Sequence, residues 1–475
     1  MASAENTTLV SEFTYRASNI DDKVSSRVIA LEHVRRTLLE QLATYLIKET
    51  EVKNFQMTKD HVATLTAGIV NVEVISDTWN GKSYYLKAKI TADPRAAAKS
   101  VDVLRNNVRE AKELEDAGKI AENAMRAIDR LKKELQPAKQ DAGIQREYAK
   151  AINDLSAIDW FYKGLAFHQS NNLDDAIKAY THAIELLPQF APVYFSRGDA
   201  YTGLGNHQQA IMDYNKVLEL IPADEDAYNN RGFNHARLGD YQQAINDYSK
   251  AIKLNRNYAI AYFNRGFAYK ALGNLQQAIS DYNEAVKLNP NYAEAYSNRG
   301  VTYDALGNHR QAVDDYSNAI KLNPDNADAY YNRGSAYLDL GDRERAINDY
   351  SKAIELNPKM SQAYNNRGFV YFHLGKHQKA IDDYTKAIEL NPKDAEAFIN
   401  RGSAFNNLGD HQQAIDDYTK AIELNPNDAE AYINRANAYA AQGDNTMRLQ
   451  NLKMAAKLGQ KKAQAYLFEK GIDWR

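Results

Sequence analysis

The sequence predicts a mostly α-helical chain: an array of nine helix-turn-helix units, preceded by a small β-α-α-β-β domain and a long helix. Three observations predict it. Gly164, Gly198, Gly232, Gly266, Gly300, Gly334, Gly368 and Gly402 stand 34 residues apart, with Ala436 in the ninth place. Each of these glycines is followed 12 residues on by alanine and 16 residues on by tyrosine, from Ala176 and Tyr180 to Ala414 and Tyr418. Proline closes most units (Pro188, Pro222, Pro290, Pro324, Pro358, Pro392, Pro426), with Arg256 the departure. A fixed period of this length marks stacked supersecondary units, none of which can bury its apolar face alone.

Composition narrows the chemistry. A chain of 475 residues with 59 Lys+Arg against 62 Asp+Glu has no cationic surplus for a polyanion, which argues against nucleic acid as a partner. The absence of cysteine excludes disulfides, thiolate metal sites and cysteine nucleophiles. No apolar run approaches the ~20 residues of a membrane span.

Taken in order, Met1 to Ala4 read as a start or processing remnant: Ala2-Ser3-Ala4 has the small-residue pattern of a signal-peptide cleavage site. The pattern fits a chain whose signal peptide has been replaced by a methionine, and equally an ordinary cytoplasmic start. Within residues 5–93, Leu9, Phe13 and Tyr15 fit a strand, and Val24 to Tyr45 follow helical spacing. Thr58 is placed to cap a second helix ending near Gly68, and strands over Val70–Asp77 and Ser83–Thr91 are joined at Asn80-Gly81. Gly81-Lys82-Ser83 lacks the first glycine of a phosphate loop and precedes a strand, which disfavours a nucleotide site. The element order resembles small domains of bacterial envelope proteins, such as the N-terminal domain of flagellar assembly protein T and small surface lipoproteins. That resemblance implies a periplasmic or cell-envelope location.

Residues 94–136 contain no proline after Pro94 until Pro137 and predict one long helix. Its seam of Leu114, Ala117, Ala121, Ala124, Ile128, Leu131 and Leu135 has heptad spacing, with one short step into Leu114 predicting local overwinding. The seam suits either a helix packed on its own chain or a coiled coil that makes a homo-oligomer. A connecting helix over 137–156 leads into the repeats at 157–462, and residues 463–475 predict a capping helix.

The repeat residues resemble the tetratricopeptide repeat (TPR) family, which implies a right-handed solenoid with aromatics and small residues at the helix crossings. In TPR proteins that grip extended peptides, the position two before the glycine lines a concave groove. Here it holds Asn230, Asn264, Asn298, Asn332, Asn366, Asn400 and Asn434. This ladder is similar to the one that bonds the ligand backbone in the O-linked N-acetylglucosamine transferase family. A carboxamide both donates and accepts, so it satisfies a peptide group whatever the side chain; it is also suited to tying neighbouring helices together. The same resemblance nominates the apolar residues three before, one after and four after the glycine: Phe263 and Tyr331, then Phe233, Phe267 and Phe369, then Phe372. These fit either a peptide groove or packing between units.

Acids stand six before the glycine at Asp226, Glu294, Asp328, Glu396 and Glu430, and Lys270 is the lone base among these positions. That disfavours the carboxylate-clamping mode of chaperone-binding TPR domains. From the second unit on, one Arg before the glycine or its substitute (Arg197 to Arg435) and one Asp before the second-helix tyrosine (Asp213 to Asp417) suggest repeated ion pairs. The repeated His207, His309, His377 and His411 are too widely spaced to converge on a metal. No nucleophile or phosphate loop is evident, and no cofactor is called for. The sequence thus predicts a non-enzymatic scaffold that binds a protein or peptide through its repeats, with a self-assembling envelope subunit as the alternative.

Overall fold

The computed structural model describes residues 6–49, 59–67, 69–136 and 141–474; the start at Met1–Ala4, Thr58, Gly68 and the segment 137–140 lie outside them. It comprises two compact units, residues 1–256 and 257–475.

The first unit opens with β1 (Thr7–Arg16), α1 (Lys23–Glu49), α2 (Lys59–Ala67), β2 (Glu73–Trp79) and β3 (Ser83–Ala92). The three strands form one antiparallel sheet in the order β1-β3-β2. Period-two alternation buries Tyr84, Leu86, Ala88 and Ile90 of β3, which cluster with Leu31, Val34, Leu38 and Leu42 of α1. Gly81 takes φ +85°, and the Asn80 side chain accepts from the backbone N–H of Lys82 and Ser83, so Asn-Gly builds the hairpin turn. Lys82 and Ser83 therefore lead into a strand rather than a helix N-terminus.

The long helix expected over 94–136 is two helices, α3 (Pro94–Asn106) and α4 (Val108–Leu135). Asn107 leaves the helical region (φ −93°, ψ 85°), and its side chain caps α4 by accepting from Glu110 N–H. The short step in the apolar pattern is accommodated by ending one helix and capping another, not by overwinding. The α4 seam is not available to a second chain. Leu114, Ala117, Ile128, Leu131 and Leu135 are at most 1% exposed, in one core with Tyr148, Leu155, Ile158 and Phe161. This corrects the coiled-coil alternative: the seam is filled by the chain's own next helix.

That helix, α5 (Ala142–Gln169), is capped by Asp141 and runs unbroken through the expected boundary at residue 157. The connecting helix and the first helix of the first repeat are one element, because nothing between them disrupts helical bonding. The repeats continue as α6 (Leu173–Leu186), α7 (Ala191–Gly203), α8 (His207–Leu220), α9 (Glu225–Arg237) and α10 (Tyr241–Leu254).

The second unit carries α11 (Ala259–Ala271), α12 (Leu275–Leu288), α13 (Ala293–Ala305), α14 (His309–Leu322), α15 (Ala327–Asp339) and α16 (Arg343–Leu356). It ends with α17 (Ser361–His373), α18 (His377–Leu390), α19 (Ala395–Leu408), α20 (His411–Leu424), α21 (Ala429–Ala441), α22 (Asn445–Lys457) and α23 (Lys461–Glu469). The terminal helix is shorter than 463–475: Gly471 turns the chain at φ +68°, and Ile472 and Trp474 pack beside Leu467 without being helical.

Each repeat is set by one contact. A Cβ on Gly300 would lie 2.8 Å from the Tyr316 ring, and the other repeat glycines face their own tyrosines at similar or shorter distances. The tyrosines are almost wholly buried, so the first and second helices can cross only where the first helix has no side chain.

Gly300→Ala should therefore destabilise the second unit by ~1–3 kcal/mol through overpacking. Gly307→Ala, at φ +74° in the following turn with open space around it, should cost about 1 kcal/mol from backbone strain alone. Urea unfolding of the two variants checks the order; equal losses would place the constraint elsewhere.

Candidate peptide-binding surface

The arginine that precedes the glycine from the second repeat on is consumed by architecture; the first repeat has Lys163 there. Arg333 donates from Nε and Nη2 to both carboxylate oxygens of Asp349 (2.7 and 2.8 Å), and from Nη1 to Ser317 Oγ of the preceding repeat (3.0 Å). Its guanidinium carbon lies 5.6 and 5.8 Å from the ring centres of Tyr330 and Tyr337. The same bidentate pair joins Arg197–Asp213, Arg231–Asp247, Arg265–Asp281, Arg299–Asp315, Arg367–Asp383 and Arg401–Asp417. In the ninth repeat Arg435 bonds Asn451 instead. Bidentate geometry fixes the guanidinium plane, and the flanking rings sandwich it.

One residue earlier, all seven asparagines are half-buried, but their bonding differs. Asn366 donates to Tyr331 Oη (3.1 Å) and Asn400 to Asn365 Oδ1 (3.4 Å), each on the preceding repeat's first helix. Asn298 accepts from Lys270 Nζ (3.1 Å) and donates to the Glu294 carbonyl (3.0 Å). In the first unit Asn230 donates to Asp199 Oδ1 (3.1 Å) and accepts from Asn229. The Asn332 and Asn434 carboxamides make no side-chain hydrogen bond among the described residues. Asn264 has a polar partner of its own. The ladder therefore combines helix ties with carboxamides that are not used internally.

The aromatic candidates also divide. Phe233, Phe267 and Phe369, one residue after the glycine, are 40–43% exposed. Where that position is Ser335 or Ser403, its hydroxyl meets the second-helix tyrosine hydroxyl at 3.1 Å. Phenylalanine cannot make that bond and remains on the surface. Phe263 and Tyr331, three before the glycine, pack on Tyr282 and Tyr350 (ring centres 5.9 and 5.8 Å apart) and serve the stack. Phe372 lies edge-on to His373 and His377.

Two of the histidines at helix starts, His309 and His411, hold turns, whereas His207 bonds Asn234 of the next repeat. His309 Nδ1 contacts Asp304 Oδ1 at 2.6 Å and lies 3.8 Å from Asp339. His411 makes the equivalent contact with the uncharged Asn406 at 2.8 Å, so the pairing belongs to the repeat scaffold.

In the first unit the corresponding surface is already occupied. Arg109, near the start of α4, donates from Nη1 to Asp224 Oδ1 (2.6 Å) and Asp226 Oδ2 (3.4 Å), and from Nε to Glu113 (2.8 Å). Its guanidinium carbon lies 3.2 Å above the Phe195 ring centre. Sequence reasoning missed this contact: Arg109 is one charge among many on α4, and its acidic partners lie 115 and 117 residues away. Several carboxylates share one guanidinium here. Burial pushes the Glu113 carboxyl up to about 8 despite Arg109, and the buried Asp199 carboxyl up to about 6.

Tetratricopeptide repeat models match five overlapping segments from 164 to 341, three segments across 327–428, and 417–450. A MamA protein of known structure is 31% identical over 36% of this chain and 94% of its own length, with a TM-score of 0.34. The chain belongs to the tetratricopeptide repeat family. This TPR protein is also similar to YrrB, described as a TPR protein with an unusual peptide-binding site (26% identity, 39% of this chain, 95% of that one, TM-score 0.36). A TPR protein from Parabacteroides merdae is 22% identical over 52% of this chain and 98% of its own, with a TM-score of 0.39. No curated protein matches it. Among the described residues no helix is long and apolar enough to cross a membrane.

The carboxyl of Glu113 has a folded-state value above its unfolded one, so its contribution to stability is complete below the unfolded value and is lost as pH rises towards about 8. The stability of the first unit should fall between pH 5 and 8 by on the order of 3 kcal/mol, and Glu113→Gln should flatten the dependence. Chemical denaturation at pH 5, 6.5 and 8 measures it; identical pH slopes for the two proteins would refute the assignment.

Proposed function

We propose that this TPR protein is a non-enzymatic scaffold whose first helices in the second unit, α11, α13, α15, α17, α19 and α21, bind an extended segment of a partner protein. One observation carries the reading. At repeat-equivalent positions, the surface combines exposed aromatic rings (Phe267, Phe369) with carboxamides that make no hydrogen bond among the described residues (Asn332, Asn434). Exposed apolar side chains beside unspent amide groups suit a peptide whose backbone needs hydrogen bonds and whose alternate side chains need apolar contact. The repeat family is one of protein-interaction scaffolds, which favours the same reading. Asn230 and Phe233 belong to the first unit, where α4 lies against the repeats, and are assigned a lesser part. An envelope location remains our reading of the N-terminal β-α-α-β-β order.

The test uses the whole chain to select binders from a random-sequence peptide display library. Asn332→Ala combined with Asn434→Ala should weaken the selected peptides about tenfold, in line with lost hydrogen bonds to the backbone. Stability should stay within about 0.5 kcal/mol of the parent, because neither carboxamide ties a helix. Peptides that bind the double variant undiminished would sink the proposal.

A further inference from the structure

The first unit shows what kind of side chain this repeat surface accepts, because it already holds one. Arg109 sits where the first helices of the second and third repeats adjoin, with its guanidinium over Phe195 and its Nη1 on Asp224 and Asp226. Asp224 does two jobs: its Oδ1 also accepts from Ala227 N–H (2.8 Å) and so caps α9. A cation at a helix N-terminus faces the positive end of the helix dipole, so one carboxylate there is partly offset. Two carboxylates, eight and six residues before the glycine, reverse the balance.

The second unit repeats the pair of carboxylates in two places, with Asn365 and Ile399 at the positions equivalent to Phe195. Asp394 caps α19 through Oδ1 (3.1 and 3.2 Å to Glu396 N and Ala397 N), and Asp428 caps α21 in the same way (2.9 and 3.2 Å to Glu430 N and Ala431 N). Glu396 and Glu430 follow two residues later and are exposed. None of these four carboxylates pairs with a cation among the described residues. Elsewhere in the unit the same pair of positions is Tyr258/Ile260, Tyr292/Glu294, Asn326/Asp328 or Met360/Gln362, with at most one carboxylate. Phe369, exposed on α17, lies one helical turn along from the position equivalent to Phe195 and so on the same helix face. At the second seat Ile399 stands at the Phe195 position.

Resting on the peptide-binding reading above, we propose that the partner segment carries arginine. One guanidinium is received by Asp394 and Glu396 beside Phe369, and Asp428 and Glu430 form a second seat one repeat further on. Arginine is favoured over lysine because the planar fork of a guanidinium can bond two carboxylates at once, as Arg109 does with Asp224 and Asp226. The occupant is an extended, arginine-bearing protein segment, held at the C-terminal end of the array, with its backbone met by the asparagines.

Peptides selected by the whole chain from the random library should be enriched in arginine. Replacing that arginine with citrulline, which keeps the shape and removes the charge, should weaken binding about tenfold, as should Glu396→Gln combined with Glu430→Gln. Both aspartate caps remain in that variant, so its fold is preserved. Glu355→Gln with Glu389→Gln, on second helices and paired to Lys352 and Lys386, should change nothing and so excludes a diffuse acidic field. Selected peptides without arginine that still depend on Asn332 and Asn434 would overturn the arginine seats and leave the groove standing. Peptides indifferent to both sets of substitutions, or a library that yields no binder, would overturn both.

Discussion

The structure depends on a glycine meeting a tyrosine ring sixteen residues further along. That contact lets two helices cross closer than any side chain would permit, and it recurs in eight successive units. Once the crossing is fixed, the neighbours of the glycine have no freedom of placement. The arginine before it must reach the aspartate before the tyrosine, and the asparagine two before it must face the preceding repeat. Sequence neighbours thus become spatial equivalents, and a site built in one repeat is offered in the next with a different side chain.

Variation at these equivalent positions is where function separates from scaffold. Serine after the glycine completes a hydrogen bond with the buried tyrosine; phenylalanine there gives up that bond and stays exposed. Asparagine two before the glycine ties helices in some repeats and in others makes no bond among the described residues. The arginine before the glycine does not vary in this way. Before each glycine from Gly198 to Gly402 it is held by two carboxylate oxygens and lies beside at least one aromatic ring, and it belongs to the framework.

Much of this was legible in the sequence because the period repeats each signal eight times. The repeat boundaries, the arginine–aspartate pairs and the β-α-α-β-β order follow from spacing and residue type. What the spacing misjudged lies outside the period. A lone Asn107 capping a new helix looks like any other polar residue, and the continuity of α5 through residue 157 is a matter of what fails to interrupt it. The apolar seam of α4 was visible, but not whether its partner was α5 or a second chain. The Arg109 contact joins groups more than a hundred residues apart, with no local trace. Among the nominated site residues, position alone did not distinguish Phe369, which is exposed, from Phe263 and Tyr331, which are packed.

The burial of α4 against the first repeat also bears on how such a protein can grow. A stacked array normally ends in faces that any further repeat could cover, so duplication can lengthen it at either end. Here the first repeat shares its opening helix with the N-terminal domain, and its outer apolar surface is already spent on α4. New repeats can enter between existing ones, but not ahead of the first. The N-terminal domain therefore gives the array a fixed origin: each repeat has an address counted from that end, and the two acidic seats on α19 and α21 occupy the far end of that scale.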